Sequence, residues 1–286
     1  LGDVYKRQER KGLTQRRLGT LVGLSDRMVR AYESGQSTPS TESLEAIARA
    51  LGFPVRFFGA PALDPLTLEA ASFRALTKAS AALRSSAVAA GTLALEFYRF
   101  LSERFELPGI NVPDLRHMTP SGAADTVRHM WGIGHKPIQN MVHLAEFHGV
   151  RVLSLSEDCE AIDAFSLWRD GVPFIFLNTR KTPERGIWDM AHELGHLTLH
   201  RHGTPQGTDA ESQADAFAAN FLLPESAMRS VAPRLATIGT VSAMKKQWKA
   251  STAALGRRFH ELGIMSDWHY RRFCIELSRR GRANAV

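Results

Sequence analysis

The stretch that decides the fold is residues 188–197, WDMAHELGHL. Its apolar residues recur at helical spacing, and we predict a helix over about 184–200. His192 and His196 are four residues apart, so they share one face of that helix and can bind one metal ion together. Glu193 lies beside them, where a carboxylate can accept a proton from water that the metal activates.

A third protein ligand is expected from the next predicted helix, over about 209–222. Glu211 is the candidate ligand. Asp215, one turn later, can accept a hydrogen bond from the second ring nitrogen of a ligand histidine. Two histidines, one carboxylate and an open fourth position are typical of a catalytic zinc site. The predicted Zn²⁺ ligands are His192, His196 and Glu211, and Glu193 is the predicted proton acceptor.

Two further histidines, His200 and His202, follow the motif. We interpret each as a surface histidine rather than a ligand, although His200 could help to polarise a scissile carbonyl. The alternative for the whole segment is an amphipathic helix with surface histidines. The apolar residues that flank the motif and the carboxylate-bearing helix that follows it favour the metal site.

Three short apolar runs precede the metal helix, over 150–155, 164–168 and 173–177. Their β-branched and aromatic residues predict strands, and Asp170-Gly171 predicts a hairpin turn between the last two. An exposed edge of this hairpin could pair with an extended peptide substrate. Alternatively, the sheet could serve only as scaffold, and the sequence leaves both interpretations open.

The N-terminal part of the chain also shows helical spacing of apolar residues, with Thr14 and Ser25 as predicted N-caps. The order Leu-Thr-Gln, Gly-Leu-Ser, Glu-Ser-Gly and Pro-Ser over residues 13–40 resembles the helix-turn-helix of the XRE (phage repressor-like) family. This resemblance implies operator DNA as a partner of residues 13–51. A small helical domain for protein interaction is the alternative.

In that resemblance, the helix over 25–33 enters the major groove of the operator with its N-terminal side chains toward the base edges. Gln15 could reach a phosphate or brace this recognition helix. The candidate DNA contacts are Gln15, Ser25, Asp26, Arg27 and Arg30.

Charge is unevenly distributed along the 286 residues, whose net charge is +7. Residues 1–60 carry ten basic and six acidic side chains, and residues 231–286 carry eleven and three. Residues 61–230 carry fifteen basic and twenty acidic side chains. The basic ends suit a polyanion such as DNA, and solvated helix faces are the alternative.

Composition excludes several classes of protein. No apolar run approaches the ~20 residues that span a bilayer, and the polar opening has no secretory signal. Cys159 and Cys274 lie far apart, which disfavours a disulfide scaffold and a cysteine-based metal site. We therefore expect a cytoplasmic protein without a membrane segment. The chain does not begin with methionine, and we interpret residues 1–8 as non-native sequence.

The chain after the predicted linker resembles the ImmA/IrrE family of metallopeptidases. The resemblance rests on residues 188–197 and on ADAFAANFLLP over 214–224, and residues 245–280 resemble the helical segment that often follows the peptidase. Many members have Asn at the position of Asp215, and both side chains can orient a histidine. The family implies a gluzincin-like Zn²⁺ site and cleavage of a partner transcriptional repressor.

Other fusions of this kind suggest an alternative, namely an XRE-type transcription regulator or antitoxin whose peptidase-like domain is a sensor or dimerisation platform without proteolysis. A homodimer is expected by analogy with helix-turn-helix proteins that read two half-sites. The predicted fold class is α+β and mostly helical. The predicted divisions are a helix-turn-helix domain over 1–58, a linker and helical segment over 59–118, a zincin-like peptidase domain with a small β-sheet over 119–230, and a basic helical segment over 231–286.

Overall fold

A computed structural model describes residues 13–59, 80–155, 162–201 and 207–283. The chain divides into two compact units, residues 1–107 with 153–162 and residues 108–152 with 163–286. The described residues form helices and one three-stranded sheet, which confirms the α+β, mostly helical class. Among the helices described, none combines the length and the apolar character needed to cross a membrane.

The first unit begins with short helices. They are α1 (Gln15–Val22), α2 (Asp26–Glu33), α3 (Thr41–Leu51) and a 3₁₀ helix (Val55–Gly59). The predicted N-caps Thr14 and Ser25 are confirmed, because each side chain accepts a hydrogen bond from the backbone N–H three residues later. Gly23 ends α1 with a φ of 72°, a left-handed conformation that costs glycine little.

These helices enclose one small apolar core. Its buried residues are Leu18, Val29, Tyr32, Ile47, Ala48, Leu51 and Phe58. A longer helix, α4 (Ala81–Ser102), follows and lies within the predicted linker and helical segment over 59–118. Residues 60–79, which include most of the predicted linker, lie outside the described residues.

The second unit contains the predicted hairpin and the two helices that follow it. Its first elements are α5 (Pro120–Met130), α6 (Met141–Phe147), the first two residues of β1 (Arg151–Ser154), β2 (Ala164–Arg169), β3 (Val172–Leu177), α7 (Pro183–Leu199) and α8 (Thr208–Leu222). The strand order is β1-β3-β2, and β2 pairs antiparallel with β3. Asp170 and Gly171 both have positive φ, as the tight turn of such a hairpin requires.

Five further helices complete this unit. They are α9 (Glu225–Val231), α10 (Ile238–Ala243), α11 (Lys245–Trp248), α12 (Thr252–Glu261) and α13 (Asp267–Ala283). One continuous apolar core runs from Val112 to Phe273 and includes Trp248 and Phe259. The segment over 231–286 therefore shares the core of the preceding residues, and the core shows no break at residue 230.

Helices α7 and α8 pack closely because a glycine lies at their contact. A Cβ atom on Gly195 would lie 3.2 Å from the Cα of Ala214 and 3.2 Å from the Cβ of Phe217. That spacing is tighter than ordinary van der Waals contact, so a side chain at this position would force the neighbouring helix to shift. The glycine of the HELGH motif thus permits the close approach of the two helices.

Two buried arginines hold the C-terminal end of α8. Arg128 donates hydrogen bonds to the carbonyl oxygens of Phe221, Gly134 and Lys136. Arg258 donates to the carbonyl of Leu223 at 2.9 Å. Burial lowers the pKa of Arg128 to about 10, which leaves it protonated at neutral pH. A positive charge at this end of a helix interacts favourably with the helix dipole, so both arginines help to fix α8 in place.

Candidate metal centre and DNA-reading helix

The two histidines of the motif face each other on α7. The Nε2 atoms of His192 and His196 are 3.1 Å apart. His196 is buried and His192 is half-buried, so neither imidazole is fully exposed to solvent. This arrangement follows from the four-residue spacing on one helix.

Glu211 on α8 joins the two imidazoles. Its Oε2 atom lies 3.4 Å from the Nε2 of His192, and its Oε1 atom lies 3.4 Å from the Nε2 of His196. In a tetrahedral zinc site with metal–ligand bonds of about 2.0–2.2 Å, the ligand atoms are separated by about 3.3 Å. The three side chains therefore fit a divalent metal ion of this kind, and among the described residues they form a cluster that could hold one.

Asp215 lies one turn beyond Glu211 and contacts the far side of His192. Its Oδ1 atom is 2.9 Å from the Nδ1 of that imidazole. A proton on Nδ1 would leave the Nε2 lone pair directed toward Glu211 and His196, which is the form that binds a metal. The structure thus brings Asp215 to the position from which it can orient a ligand histidine.

The carboxylates concentrate negative charge at the centre. Burial disfavours the charged form of His192, but hydrogen bonds to Asp215 and Glu211 outweigh burial and raise its pKa to about 10. Burial also acts to raise the pKa of Glu211, but its hydrogen bonds to the two histidines lower it on balance. The hydrogen bond from His192 is the main cause of the lowered pKa of Asp215. A divalent cation would neutralise this negative charge.

Glu193 is buried beside the ligand histidines, with 4% of its surface exposed. The hydroxyl of Ser166 on β2 donates a hydrogen bond of 2.6 Å to its Oε2 atom. The side chain of Trp168, two residues later on β2, donates to the carbonyl of Leu197 on α7 at 3.0 Å. Strand β2 is therefore fixed along the metal helix, and its serine holds the carboxylate.

His200 is the C-cap residue of α7 and lies beside the ligand His196. Its Nδ1 atom is 2.9 Å from the Nδ1 of His196, and its Nε2 atom is 3.1 Å from the Oε1 of Gln213 on α8. The structure therefore places His200 behind a ligand histidine, with contacts at both ring nitrogens. His202, the other histidine considered from the sequence, lies outside the described residues.

Sequence reasoning did not find Ser166 or Gln213. Ser166 is a polar residue that is buried in the middle of an apolar strand, and that interruption was a usable signal. The position of His200 was also open to prediction, because it follows His196 by the same four residues that separate His196 from His192. Nothing in the local sequence marks Gln213 as a partner of His200.

Helix α2, the predicted recognition helix, presents its N-terminal residues to solvent. Arg27 and Arg30 are exposed, whereas Ser25 uses its hydroxyl to cap the helix at the backbone N–H of Met28. The Oδ1 atom of Asp26 accepts a hydrogen bond from the backbone N–H of Arg27 at 3.0 Å. Arg27 is therefore the exposed arginine nearest the N-terminus of α2, whereas Arg30 contacts Gln15 through its Nε.

Gln15 on α1 braces this helix. Its Nε2 atom donates to Glu33 at 2.5 Å, and its Oε1 atom accepts from the Nε of Arg30 at 3.3 Å. Of the two roles considered for Gln15, the structure shows the bracing contact. Contact with a DNA phosphate stays a prediction.

Two protein-family models match the chain. The model of the IrrE N-terminal-like domain matches residues 145–260, which include the sheet, α7, α8 and every member of the metal cluster. The model described as helix-turn-helix matches residues 5–58, which include α1 to α3. No curated protein matches the chain. The chain therefore carries an XRE-type helix-turn-helix domain, over residues 5–58, and a metallopeptidase-like domain of the IrrE/ImmA type, over residues 145–260.

Proposed function

We propose that this DNA-binding regulator is also a zinc-dependent endopeptidase, and that it cleaves a partner transcriptional repressor. The observation that carries the proposal is the convergence of His192, His196 and Glu211 at separations of 3.1–3.4 Å, with Glu193 buried beside them. A bound Zn²⁺ would supply Lewis-acid polarisation of a carbonyl and a lowered pKa for water.

In this proposal, different side chains of the protein bind the metal and transfer the proton. His192, His196 and Glu211 hold the ion, and Asp215 orients His192 through the contact at Nδ1. Glu193 accepts the proton of the attacking water and passes it to the amine nitrogen that leaves. Ser166 keeps the Glu193 carboxylate in position through its 2.6 Å hydrogen bond.

The geometry of β2 supports a peptide as the substrate. In the strand order β1-β3-β2, the outer edge of β2 has no partner strand within the described residues. That strand also carries Ser166, whose hydroxyl touches Glu193. An extended substrate chain could add to this edge through backbone hydrogen bonds, which would bring its carbonyl groups close to the metal cluster.

Polarisation of the scissile carbonyl by His200 is a further prediction from the sequence. Both ring nitrogens of His200 have contacts, one with His196 and one with Gln213. These contacts favour a different role for this side chain.

A direct test of the proposal uses the full chain loaded with Zn²⁺ and an XRE-type repressor encoded beside it. We expect cleavage of the repressor, detected by mass spectrometry, to stop when 1,10-phenanthroline removes the metal and to return when Zn²⁺ is added. The non-chelating isomer 1,7-phenanthroline is the matched control and should have no effect. Cleavage that persists after chelation would rule out a metal-dependent peptidase.

For the DNA-binding part, we propose that Arg27 contacts a base edge in the operator, because it is exposed near the N-terminus of α2. Arg27→Ala is expected to weaken binding to the DNA upstream of the chain's own gene by about 1–3 kcal/mol, the typical contribution of a base contact by arginine. Fluorescence anisotropy at one fixed salt concentration measures this loss.

The control for Arg27 is Arg99→Ala on α4, which removes another exposed arginine outside the helix-turn-helix, one that pairs with Glu96. It should change operator affinity little. If Arg27→Ala lost the same factor of affinity on unrelated DNA as on the operator, Arg27 would contact only phosphate and the base-edge role would be wrong.

A further inference from the structure

A chain of three side chains connects α8 to the ligand His196. The Oε1 atom of Gln213 lies 3.1 Å from the Nε2 of His200, and the Nδ1 of His200 lies 2.9 Å from the Nδ1 of His196. The opposite nitrogen of His196, Nε2, faces His192 and Glu211. The hydrogen bonds therefore connect an amide oxygen to the Nδ1 of an imidazole whose Nε2 would hold the metal.

The protons in this chain can be arranged in only one way that suits a metal. To bind through Nε2 as a neutral imidazole, His196 must carry its proton on Nδ1. The Nδ1 of His200 must then be the acceptor, so His200 carries its proton on Nε2. That proton is donated to the amide oxygen of Gln213, which accepts and cannot donate.

The reverse direction would disable the ligand. If the amide nitrogen of Gln213 faced His200, it would donate to Nε2 and leave the proton of His200 on Nδ1. His200 would then donate to the Nδ1 of His196, whose proton would move to Nε2, where the metal must bind. The orientation of one glutamine side chain thus selects the form of an imidazole two hydrogen bonds away.

We propose that His200 and Gln213 are positioning residues that fix the metal-binding tautomer of His196. The inference rests on the proposed metal centre and adds a specific role for two residues that touch neither metal nor substrate. The two ligand histidines are then oriented by unlike partners. His192 contacts the Asp215 carboxylate directly, whereas His196 contacts a neutral imidazole and, through it, an amide.

The first experiment measures Zn²⁺ affinity of the full chain by competition with a chromophoric chelator. Gln213→Leu, which removes the acceptor, is expected to weaken affinity by about 10–100-fold, as is typical when the partner of a ligand histidine is lost. Gln213→Glu restores an acceptor oxygen. Its Zn²⁺ affinity should be no more than about threefold weaker than that of the unchanged protein. Ser212→Ala, an exposed neighbour on α8, is the control.

A second pair of variants tests the same link at His200. His200→Asn offers an amide oxygen to the Nδ1–H of His196 and should retain most of the affinity, whereas His200→Leu should lose about 10–100-fold. The urea midpoint of the metal-free protein should be the same for both members of each pair. A midpoint that falls together with affinity in all four variants would show a merely structural role and overturn the proposal.

A spectroscopic readout reports the tautomers themselves. In the Zn²⁺-loaded protein with ¹⁵N-labelled histidine, we expect His200 to show a protonated Nε2 and an unprotonated Nδ1, and Gln213→Leu to shift this toward a mixture. The opposite tautomer in the unchanged protein would overturn the inference. If the unchanged protein bound no Zn²⁺, the metal centre itself would be refuted, whereas equal affinity of Gln213→Leu and the unchanged protein would refute only the positioning role.

Discussion

Glu193→Gln is expected to bind Zn²⁺ normally and to cleave the repressor about 10²–10⁴-fold more slowly, the range that a positioned general base typically contributes. Glutamine keeps the size of the side chain and an oxygen that can accept the hydrogen bond of Ser166, which now measures 2.6 Å. It cannot take up a proton. Single-turnover cleavage and metal analysis of the same preparation measure the two quantities separately.

The matched control is Glu184→Gln, which makes the same chemical change on α7 in a residue that pairs with Lys245 and lies a few turns from the metal cluster. It should leave the cleavage rate unchanged. Wild-type proteolysis by Glu193→Gln would remove this carboxylate from the mechanism.

The same variant separates the two functions considered for the chain. If repression or activation of the chain's own promoter depends on proteolysis, Glu193→Gln should abolish regulation while DNA binding persists. Normal promoter control in this variant would instead favour a regulator whose metallopeptidase-like domain senses a ligand or holds two copies together.

Glu211→Gln is expected to weaken Zn²⁺ binding by more than the ~10–100-fold that follows loss of an outer hydrogen-bond partner. The carboxylate approaches both imidazoles at 3.4 Å, and an amide in its place would lack the negative charge that favours a divalent cation. Competition with a chromophoric chelator measures the affinity. Asp215→Asn provides the graded comparison, because it removes a negative charge that contacts His192 at Nδ1 and not at the Nε2 that faces Glu211.

Glu225→Gln on α9 is the charge control for this prediction, since its carboxylate pairs with Arg229 on the surface. It should bind Zn²⁺ like the unchanged protein. If Glu211→Gln retained full affinity, the third ligand would have to be another group, and the assignment of this centre to His192, His196 and Glu211 would fail.

The parts of the fold that local chemistry determines could be predicted from sequence. The N-caps Thr14 and Ser25 and the turn at Asp170-Gly171 each depend on residues within one or two turns of chain, and the structure confirms them. The helical spacing of apolar residues in the N-terminal part predicted helices there, and α1, α2 and α3 are the helices that form. The spacing of His192 and His196 placed two imidazoles on one face in the same way.

The remaining features depend on packing between distant segments, which no local pattern reveals. Ser166 contacts Glu193, which lies 27 residues later in the sequence, because β2 packs against α7. Likewise, the predicted basic helical segment over 231–286 gave no sign that Trp248 and Phe273 would enter the same core as α7 and α8. Composition does not report what a buried face contacts.

The close contact of α7 with α8 at Gly195 affects how long the second unit stays folded. An ion whose ligands come from both α7 and α8 would bind only when these helices are packed together. Ion binding and helix packing must therefore stabilise each other through thermodynamic linkage. At a free ion concentration 100 times the dissociation constant, this linkage amounts to about 2.7 kcal/mol. The supply of metal in the cell would then govern the lifetime of the folded protein as well as its chemistry, and starvation for the ion would expose the chain to degradation.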